Sequence, residues 1–353
     1  MSQQGAPPEC EWINSCMTMG ELVCLGAQRI GLNIQMRSSS PRHESSNSRS
    51  PLIPILAPLF QGEWSHHGQG VSCPPHPPPP PGGSRHALSM WTSQHGMLLE
   101  TLTLHARHMG ERTQDLRAAT SMWSLDYLWL LLPPATAGAI LLRHGLPLDP
   151  SSCHLDIDVR GAPVQLQMPN SGRALQGDAS IQAHLEFLTR QHLSPLFSAL
   201  HSCAGLPIKI LWGNAARIFS DILKAMVDTA SAHGDATTLS DVARHGHALL
   251  TAPVWPDLAP NPLWEHGGRP DSFEAIQAPS SLYAQCCLRH RLAGQVHCSK
   301  CPLEPVSLCT KHAKRRVSKE ATPDSPSAAH PQRSSTSFAC DANRLPLRET
   351  GSD

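Results

Sequence analysis

Two short runs of alternating residues constrain the fold of this 353-residue chain most strongly. Apolar and polar residues alternate along residues 155–159 and again along residues 164–168, with Gly161-Ala162-Pro163 between them. A period of two is typical of β-strands, and two such runs around a short turn predict a hairpin with one buried face. Asp156 and Asp158 share the polar face, so we expect both to be solvated strand residues.

Helical patterns surround this hairpin on both sides. Apolar residues recur at the spacing of a helix face in several segments. The predicted helices cover residues 97–116, 178–191 and 239–250, with further helices that begin near Ser124, Ser194 and Asn214. The apolar run 128–142 is too short to span a bilayer, and two internal prolines predict a buried pair of helices there. The fold class is therefore α+β, a mostly helical domain around a small antiparallel sheet.

The two ends of the chain differ in composition from its middle. Residues 1–96 are rich in Pro and Ser, and Pro74–Pro81 is almost entirely proline, which favours extended polyproline geometry without a packed core. This segment is predicted to be a disordered extension or an upstream mis-start. Residues 97–305 form the predicted domain, and residues 306–353 a disordered basic tail.

Charge and the first residues indicate the class of protein and its compartment. Lys+Arg and Asp+Glu balance at 28 each, so no net field favours nucleic acid as a partner. The first 25 residues lack both a basic start and an uninterrupted apolar stretch with a cleavage site. We therefore expect a cytoplasmic protein, and in a reducing compartment clustered cysteines hold metal more often than they form disulfides.

Four of the twelve cysteines lie within residues 286–301, namely Cys286, Cys287, Cys298 and Cys301. The two-residue spacing of the second pair allows two sulfurs to bind one metal atom. Adjacent side chains such as those of the first pair diverge, which suits a two-iron cluster better than a single zinc ion. The residues alone favour an iron–sulfur cluster and leave zinc or a redox thiol site open.

A zinc-binding module is the main alternative. Cys298 and Cys301 are followed by Cys309 and His312, and two short chelating pairs are a common zinc arrangement. In that case the basic residues that follow would contact nucleic acid or a protein, and the adjacent cysteines would be incidental.

The cysteine pattern resembles a known signature. Cys286-Cys287-Leu288-Arg289, a ten-residue gap and Cys298-x-x-Cys301-Pro302-Leu303 resemble the C-terminal 2Fe-2S motif of ferric siderophore reductases of the FhuF-like family. Residues 193–197, 206–209 and 211–216 are similar to the middle of that family's domain. The resemblance extends from near Met122 to Leu303.

The resemblance implies a function and a cofactor. The chain would be a ferric siderophore reductase, an oxidoreductase in iron acquisition that transfers one electron and releases ferrous iron in the cytoplasm. Its 2Fe-2S cluster would be held by Cys286, Cys287, Cys298 and Cys301.

Four further residues are predicted to contact the ferric siderophore. A helix beginning at Asn214 would expose backbone N–H groups to an anionic ligand, and Trp212 would stack on it. The alternative for these two residues is an N-cap after a glycine turn and a tryptophan buried in the core. Arg289 and Arg291 lie between the cysteines and would attract an anionic iron chelate.

The remaining partners follow from what the sequence lacks. No glycine-rich nucleotide-binding motif is present, so electrons would come from an external donor, either ferredoxin-like or a flavin reductase. Nucleic acid is not expected as a partner. No transmembrane segment is predicted, whereas peripheral association with a membrane stays open.

Overall fold

The computed structural model describes residues 53–61, 64–110, 115–277 and 282–303. The helices are α1 (Ser65–Gly68), α2 (Leu88–Ser93), α3 (His95–His108), α4 (Arg117–Leu141), α5 (Gly177–Phe187), α6 (Ser194–Ala204), α7 (Ile208–Ala232), α8 (Ala236–Leu250), α9 (Pro262–His266) and α10 (Phe273–Gln277). The strands are β1 (Val71–Ser72), β2 (Ser84–Ala87), β3 (His144–Gly145), β4 (His154–Ile157), β5 (Pro163–Gln167) and β6 (Arg173–Ala174). A π-helical segment, Leu188–Leu193, joins α5 to α6.

Helix α4 is the central element of the core. It is one continuous helix of 25 residues that runs through Pro133 and Pro134, both buried. The predicted pair of helices is therefore wrong. Proline loses a backbone hydrogen bond in a helix, but its fixed φ is compatible with helical backbone, and burial on both sides of the prolines favours continuity.

The same helix resembles a membrane span in length and composition. Its most apolar window has a mean hydropathy of 1.2, and 72% of that window is buried inside the protein. The central helix of a soluble core has these properties too, so length and apolar character alone do not indicate a membrane span.

The predicted hairpin is confirmed as β4 and β5, which pair antiparallel with Leu155 opposite Leu166. The four-stranded sheet has the order β1-β5-β4-β2. It is mixed, since β1 runs parallel to β5 with Val71 opposite Leu166. The predicted α+β class, mostly helical around a small sheet, is confirmed. The sheet was also expected to be purely antiparallel, and this prediction is wrong, because β1 runs parallel to β5. Strand β1 lies within residues 1–96, which the sequence predicted to be an extension without a core.

Asp156 corrects the prediction that the polar face of the hairpin is solvated. Its side chain is 3% exposed and forms an ion pair with Arg85 of β2, with Nε–Oδ1 at 2.6 Å. Gln167 Nε2 donates to the same carboxylate at 2.7 Å. A buried carboxylate is stable only with such partners. Asp158 is partly exposed and contacts Arg160, as expected for a turn residue.

The described residues before Met97 belong to the folded domain. Leu56, Val71, Leu88 and Trp91 are fully buried, and β1 and β2 form both edges of the sheet. The predicted boundary at residue 97 is therefore too late, because apolar residues interspersed among the prolines supply part of the core. The predictions for residues 1–52 and 306–353 lie outside the described residues.

Helix α7 begins at Ile208, directly after Pro207. The prediction that a helix begins at Asn214 is wrong, since that residue lies in the second turn and is completely buried. A stretch of buried apolar residues extends the helix toward its N-terminus. Helix α7 packs against α4, α8 and α9, and one of its faces meets the segment that carries the cysteines.

Candidate functional site

Residues 282–303, here called the cysteine loop, contain no Asp or Glu and carry all four cysteines of the motif. A short 3-10 turn, Arg289–Arg291, follows Leu288, whose φ of 62° is left-handed. Leu292 is 2% exposed and packs against Ala106 of α3 and the first turn of α4. The loop is thus fixed to the helical core between its two pairs of cysteines.

Two of the four thiols contact each other across the loop. Cys287 and Cys298 have their Sγ atoms 4.0 Å apart, which joins the first half of the motif to the second. Cys286 interacts electrostatically with both Cys301 and Cys287. Cys298 and Cys301, whose spacing allows two sulfurs to bind one metal atom, lie in one turn, with the Cys301 N–H donating to the Cys298 carbonyl oxygen at 3.1 Å.

Polar contacts to sulfur stabilise negative charge on this loop. The backbone N–H of Leu288 donates to Cys286 Sγ at 3.4 Å. The hydrogen bond with Cys298 and the nearby Arg217 guanidinium lower the pKa of Cys287. The same hydrogen bond raises the pKa of Cys298. Burial raises the pKa of Cys286.

Arg217 of α7 is the buried cation of the site. Its Nη2 donates to the Gln285 carbonyl oxygen at 2.7 Å, and its guanidinium lies 4.4 Å from the centroid of the Tyr283 ring. Among the described residues, no carboxylate lies within ion-pair distance of Arg217. A buried cation needs a counter-charge, and Asp221 and Cys287 are both close enough to Arg217 to interact with it electrostatically.

One turn along α7, Asp221 contacts residues near both ends of the loop. Its carboxylate accepts a hydrogen bond from Tyr283 Oη at 3.1 Å and lies 3.6 Å from Lys300 Nζ. Burial raises the pKa of Asp221, and the Lys300 charge opposes that shift. Arg217 and Asp221 therefore attach the cysteine loop to one face of α7.

Trp212 and Asn214 do not form the predicted anion site. Trp212 is 5% exposed and packs edge-on against Phe197, with the ring centroids 4.7 Å apart. Asn214 Nδ2 donates to the hydroxyls of Ser121 and Ser124 on α4, each at 3.0 Å. Both are core residues, and the backbone N–H of Asn214 is inside a helix. The site residue on this helix is Arg217 instead.

The basic residues between the cysteines make different contacts. Arg289 is part-buried and its Nε donates to Gln295 Oε1 at 3.0 Å, within the loop. Arg291 is 45% exposed and pairs with Asp115 at 3.3 Å, which ties the loop to the start of α4. His290 lies 3.6 Å from Cys286 Sγ and stacks on His297. Their predicted contact with substrate stays a prediction.

The donor set of the loop is four cysteine thiols, which both a two-iron cluster and a zinc ion accept as ligands. In the described part of the chain, no three His, Cys, Asp or Glu side chains are grouped closely enough to hold a metal ion. The four thiols are free of disulfides, and N–H and guanidinium donors face their sulfurs.

The alternative zinc site is only partly visible. Cys298 and Cys301 are described, whereas Cys309 and His312 lie outside the described residues. Cys298 contacts Cys287, which the zinc alternative treats as incidental.

Sequence reasoning missed Arg217, Asp221 and Tyr283. A signal was present in α7, because Gly213, Arg217 and Asp221 recur every four residues and so share one face of the helix. Gly213 permits close approach, since a Cβ there would lie 2.5 Å from Gln285 Cβ. The stripe therefore marks the face of α7 that meets the cysteine loop.

Comparison with known proteins supports the resemblance drawn from the sequence. Residues 121–271 match the family model described as "Ferric iron reductase FhuF-like transporter". The matched segment includes most of α4 and all of α7 and ends before the cysteine loop. No curated protein sequence matches the chain. The match covers less than half of the chain and shows that residues 121–271 are similar to the ferric iron reductase FhuF-like family.

Proposed function

We propose that this protein reduces ferric siderophores by one electron in the cytoplasm, through a 2Fe-2S cluster held by Cys286, Cys287, Cys298 and Cys301. The family match supports a ferric reductase in iron acquisition. The observation that carries the proposal is the presence of four disulfide-free cysteines on one loop, with the Cys287 and Cys298 Sγ atoms 4.0 Å apart. Four thiolates suit two iron atoms.

The substrate is a ferric ion bound by oxygen ligands. When bound, the cluster supplies one electron at a time. The ferric ion gains that electron and becomes ferrous, which oxygen ligands of a chelator hold less tightly. The external donor loses one electron and restores the protein for the next cycle. No bond to carbon is broken.

The chain's own residues tune and orient the site. Arg217 places a buried positive charge beside Cys287, and Leu288 donates an N–H to Cys286. Positive charge and hydrogen bonds at the sulfurs stabilise additional negative charge and so raise the reduction potential. Asp221 and Tyr283 hold Lys300 and the end of the loop against α7. Leu292 keeps the loop on the core.

The electron donor is proposed to be a separate ferredoxin-like protein or flavin reductase. The cysteine loop carries three Arg or Lys residues and no Asp or Glu. An acidic donor would approach such a surface faster than a basic one, and high salt would slow that approach.

Turnover of a ferric chelate tests the proposal. The full chain, purified without oxygen and reduced, is mixed with a ferric trihydroxamate, and ferrous iron is trapped with a ferrous-specific dye. We expect one ferrous ion per reduced cluster in a single turnover and continuous release with excess donor. The control is the same protein left oxidised, which should release none.

Two outcomes would contradict this function. A colourless protein with stoichiometric zinc would favour the zinc-binding alternative. A protein that contains a reducible cluster but releases no ferrous iron would use that cluster structurally.

A further inference from the structure

A cavity of about 320 Å³ lies beside the cysteine loop. It is enclosed by α7, the end of α8, the glycines after α9, the start of α10 and residues 282–284. Arg217, Tyr283 and Lys300 form its polar wall, and Leu250 and Leu263 are among its apolar residues. None of the residues assigned above to cluster binding lines it, so the cavity is a separate site adjacent to the sulfurs.

The cavity adjoins the sulfurs through two side chains. Arg217 lines the cavity and donates to the carbonyl oxygen of Gln285, the residue directly before Cys286. Lys300 lines it and lies between Cys298 and Cys301 in the sequence. A ligand in the cavity would therefore be separated from the thiols by a single layer of side chains.

The charged residues that line the cavity favour an anionic ligand. Two cations line the cavity, and no carboxylate is among the described residues that do so. Lys300 is shared with Asp221, but Arg217 has no carboxylate within ion-pair distance in the described part of the chain. A ligand oxygen with negative charge would complete the coordination of these cations, while the leucines would contact an apolar stem.

The volume selects a small group. Small-molecule sites range from roughly 300 to 1,000 Å³, so this cavity is at the lower end of that range. It accommodates one arm of a larger molecule and leaves the rest outside. An arm held here would keep a chelated metal next to the cysteine loop.

We propose that this cavity binds one anionic, oxygen-bearing arm of the ferric chelate and so positions the iron for electron transfer. This inference rests on the proposed function, which names the chelate but no site for it. Arg217 would then have two contacts, a thiolate on one side and the chelator arm on the other. Lys300 and Tyr283 would contact the same arm.

Ser220 provides the variant that tests this inference. It lines the cavity from α7 and is partly exposed, so Ser220→Glu and Ser220→Gln insert side chains of equal size that differ only in charge. Ser198→Glu is the matched control, because it adds the same charge on the exposed face of α6, and Ser198 does not line the cavity.

The probe is the gallium(III) citrate complex, which carries anionic carboxylate arms and is not reduced under these conditions. Binding to the full chain is measured by titration calorimetry, with iron and sulfide content determined for each variant. We expect Ser220→Glu to bind at least tenfold more weakly than Ser220→Gln, at equal cluster content, and Ser198→Glu to bind as the wild type does. Equal affinities of the two Ser220 variants would overturn the inference.

A second pair of variants tests the cavity by volume. Ala275 is exposed and lines the cavity from α10, so Ala275→Trp should obstruct the cavity. Glu274→Trp is the control, because it places the same ring at the neighbouring position, which does not line the cavity. We expect only Ala275→Trp to weaken gallium citrate binding, and equal binding would count against the cavity. Failure of the wild type to reduce a ferric chelate would contradict the proposed function, whereas wild-type reduction with no effect at Ser220 or Ala275 would contradict this inference alone.

Discussion

A chain that begins at Met97 is expected not to fold. Such a chain lacks β1 and β2, which form the two edges of the four-stranded sheet. It also lacks Leu56, Leu88 and Trp91, all fully buried. Burial of one large apolar side chain contributes about 1.5–3 kcal/mol, and domains are stable by only about 5–15 kcal/mol. The burial of the missing residues therefore contributes a free energy of the same size as the free energy of unfolding of a whole domain.

The truncation also exposes groups that need partners. Arg85 neutralises the buried Asp156 carboxylate, and removing one partner of a buried ion pair costs about 3–5 kcal/mol. Circular dichroism and thermal unfolding measure the result. The control begins at Ile53 and keeps every described residue. It should unfold cooperatively, whereas the Met97 chain should be insoluble or show no transition. A soluble Met97 chain with a cooperative transition would contradict this packing.

Replacement of Cys298 by serine is expected to remove both the cluster and the activity. Cys298 contacts Cys287 at 4.0 Å, and its loss leaves three of the four thiols of the motif. A serine hydroxyl is a poor ligand for iron in a cluster that thiolates hold. Loss of an outer contact to a metal site already costs about 10–100-fold in affinity or activity, and loss of a ligand should cost more.

Cys203→Ser is the control for that variant. Cys203 is a partly exposed free cysteine at the end of α6 and is not part of the cysteine loop. We expect Cys203→Ser to keep the iron content, the sulfide content and the ferrous release of the wild type. Cys298→Ser should lose at least about nine-tenths of each, which corresponds to the lower end of the range of about 10–100-fold given above. A normal cluster in Cys298→Ser would remove Cys298 from the ligand set.

The hairpin and the helical character of the chain could be predicted because both depend on local periodicity. Strands β4 and β5 follow directly from alternation within residues 155–168. The environment of Asp156 could not be predicted in this way. Its partner Arg85 comes from a distant part of the chain, and nothing in the alternation indicates that a further strand pairs with β4 and places an arginine opposite Asp156.

The amino-acid composition led to a wrong prediction of the residue at which the domain begins. The proline-rich run at Pro74–Pro81 suggested a chain without a core, but strands and short helices flank it on both sides. Proline limits regular hydrogen bonding locally, yet it does not prevent neighbouring apolar residues from packing. Leu56 and Trp91 are buried against helices that lie later in the sequence. Such contacts depend on tertiary structure.

The cysteine motif was visible in the sequence, whereas its pairing and surroundings were not. Spacing grouped Cys298 with Cys301, because residues close in sequence are the simplest chelating pair. In the structure, the turn at Leu288 reverses the loop, and Cys298 lies beside Cys287. Arg217 is far from the motif in sequence and reaches it only because α7 packs against the loop.

The most direct test of this account is the content and spectrum of the protein purified without oxygen. Iron and acid-labile sulfide are determined, and the dithionite-reduced protein is examined by EPR. Four thiolates that hold a 2Fe-2S cluster predict about two irons and two sulfides per chain and a signal that appears only on reduction. Full-length protein without acid-labile sulfide and without an EPR signal after reduction would contradict the central claim.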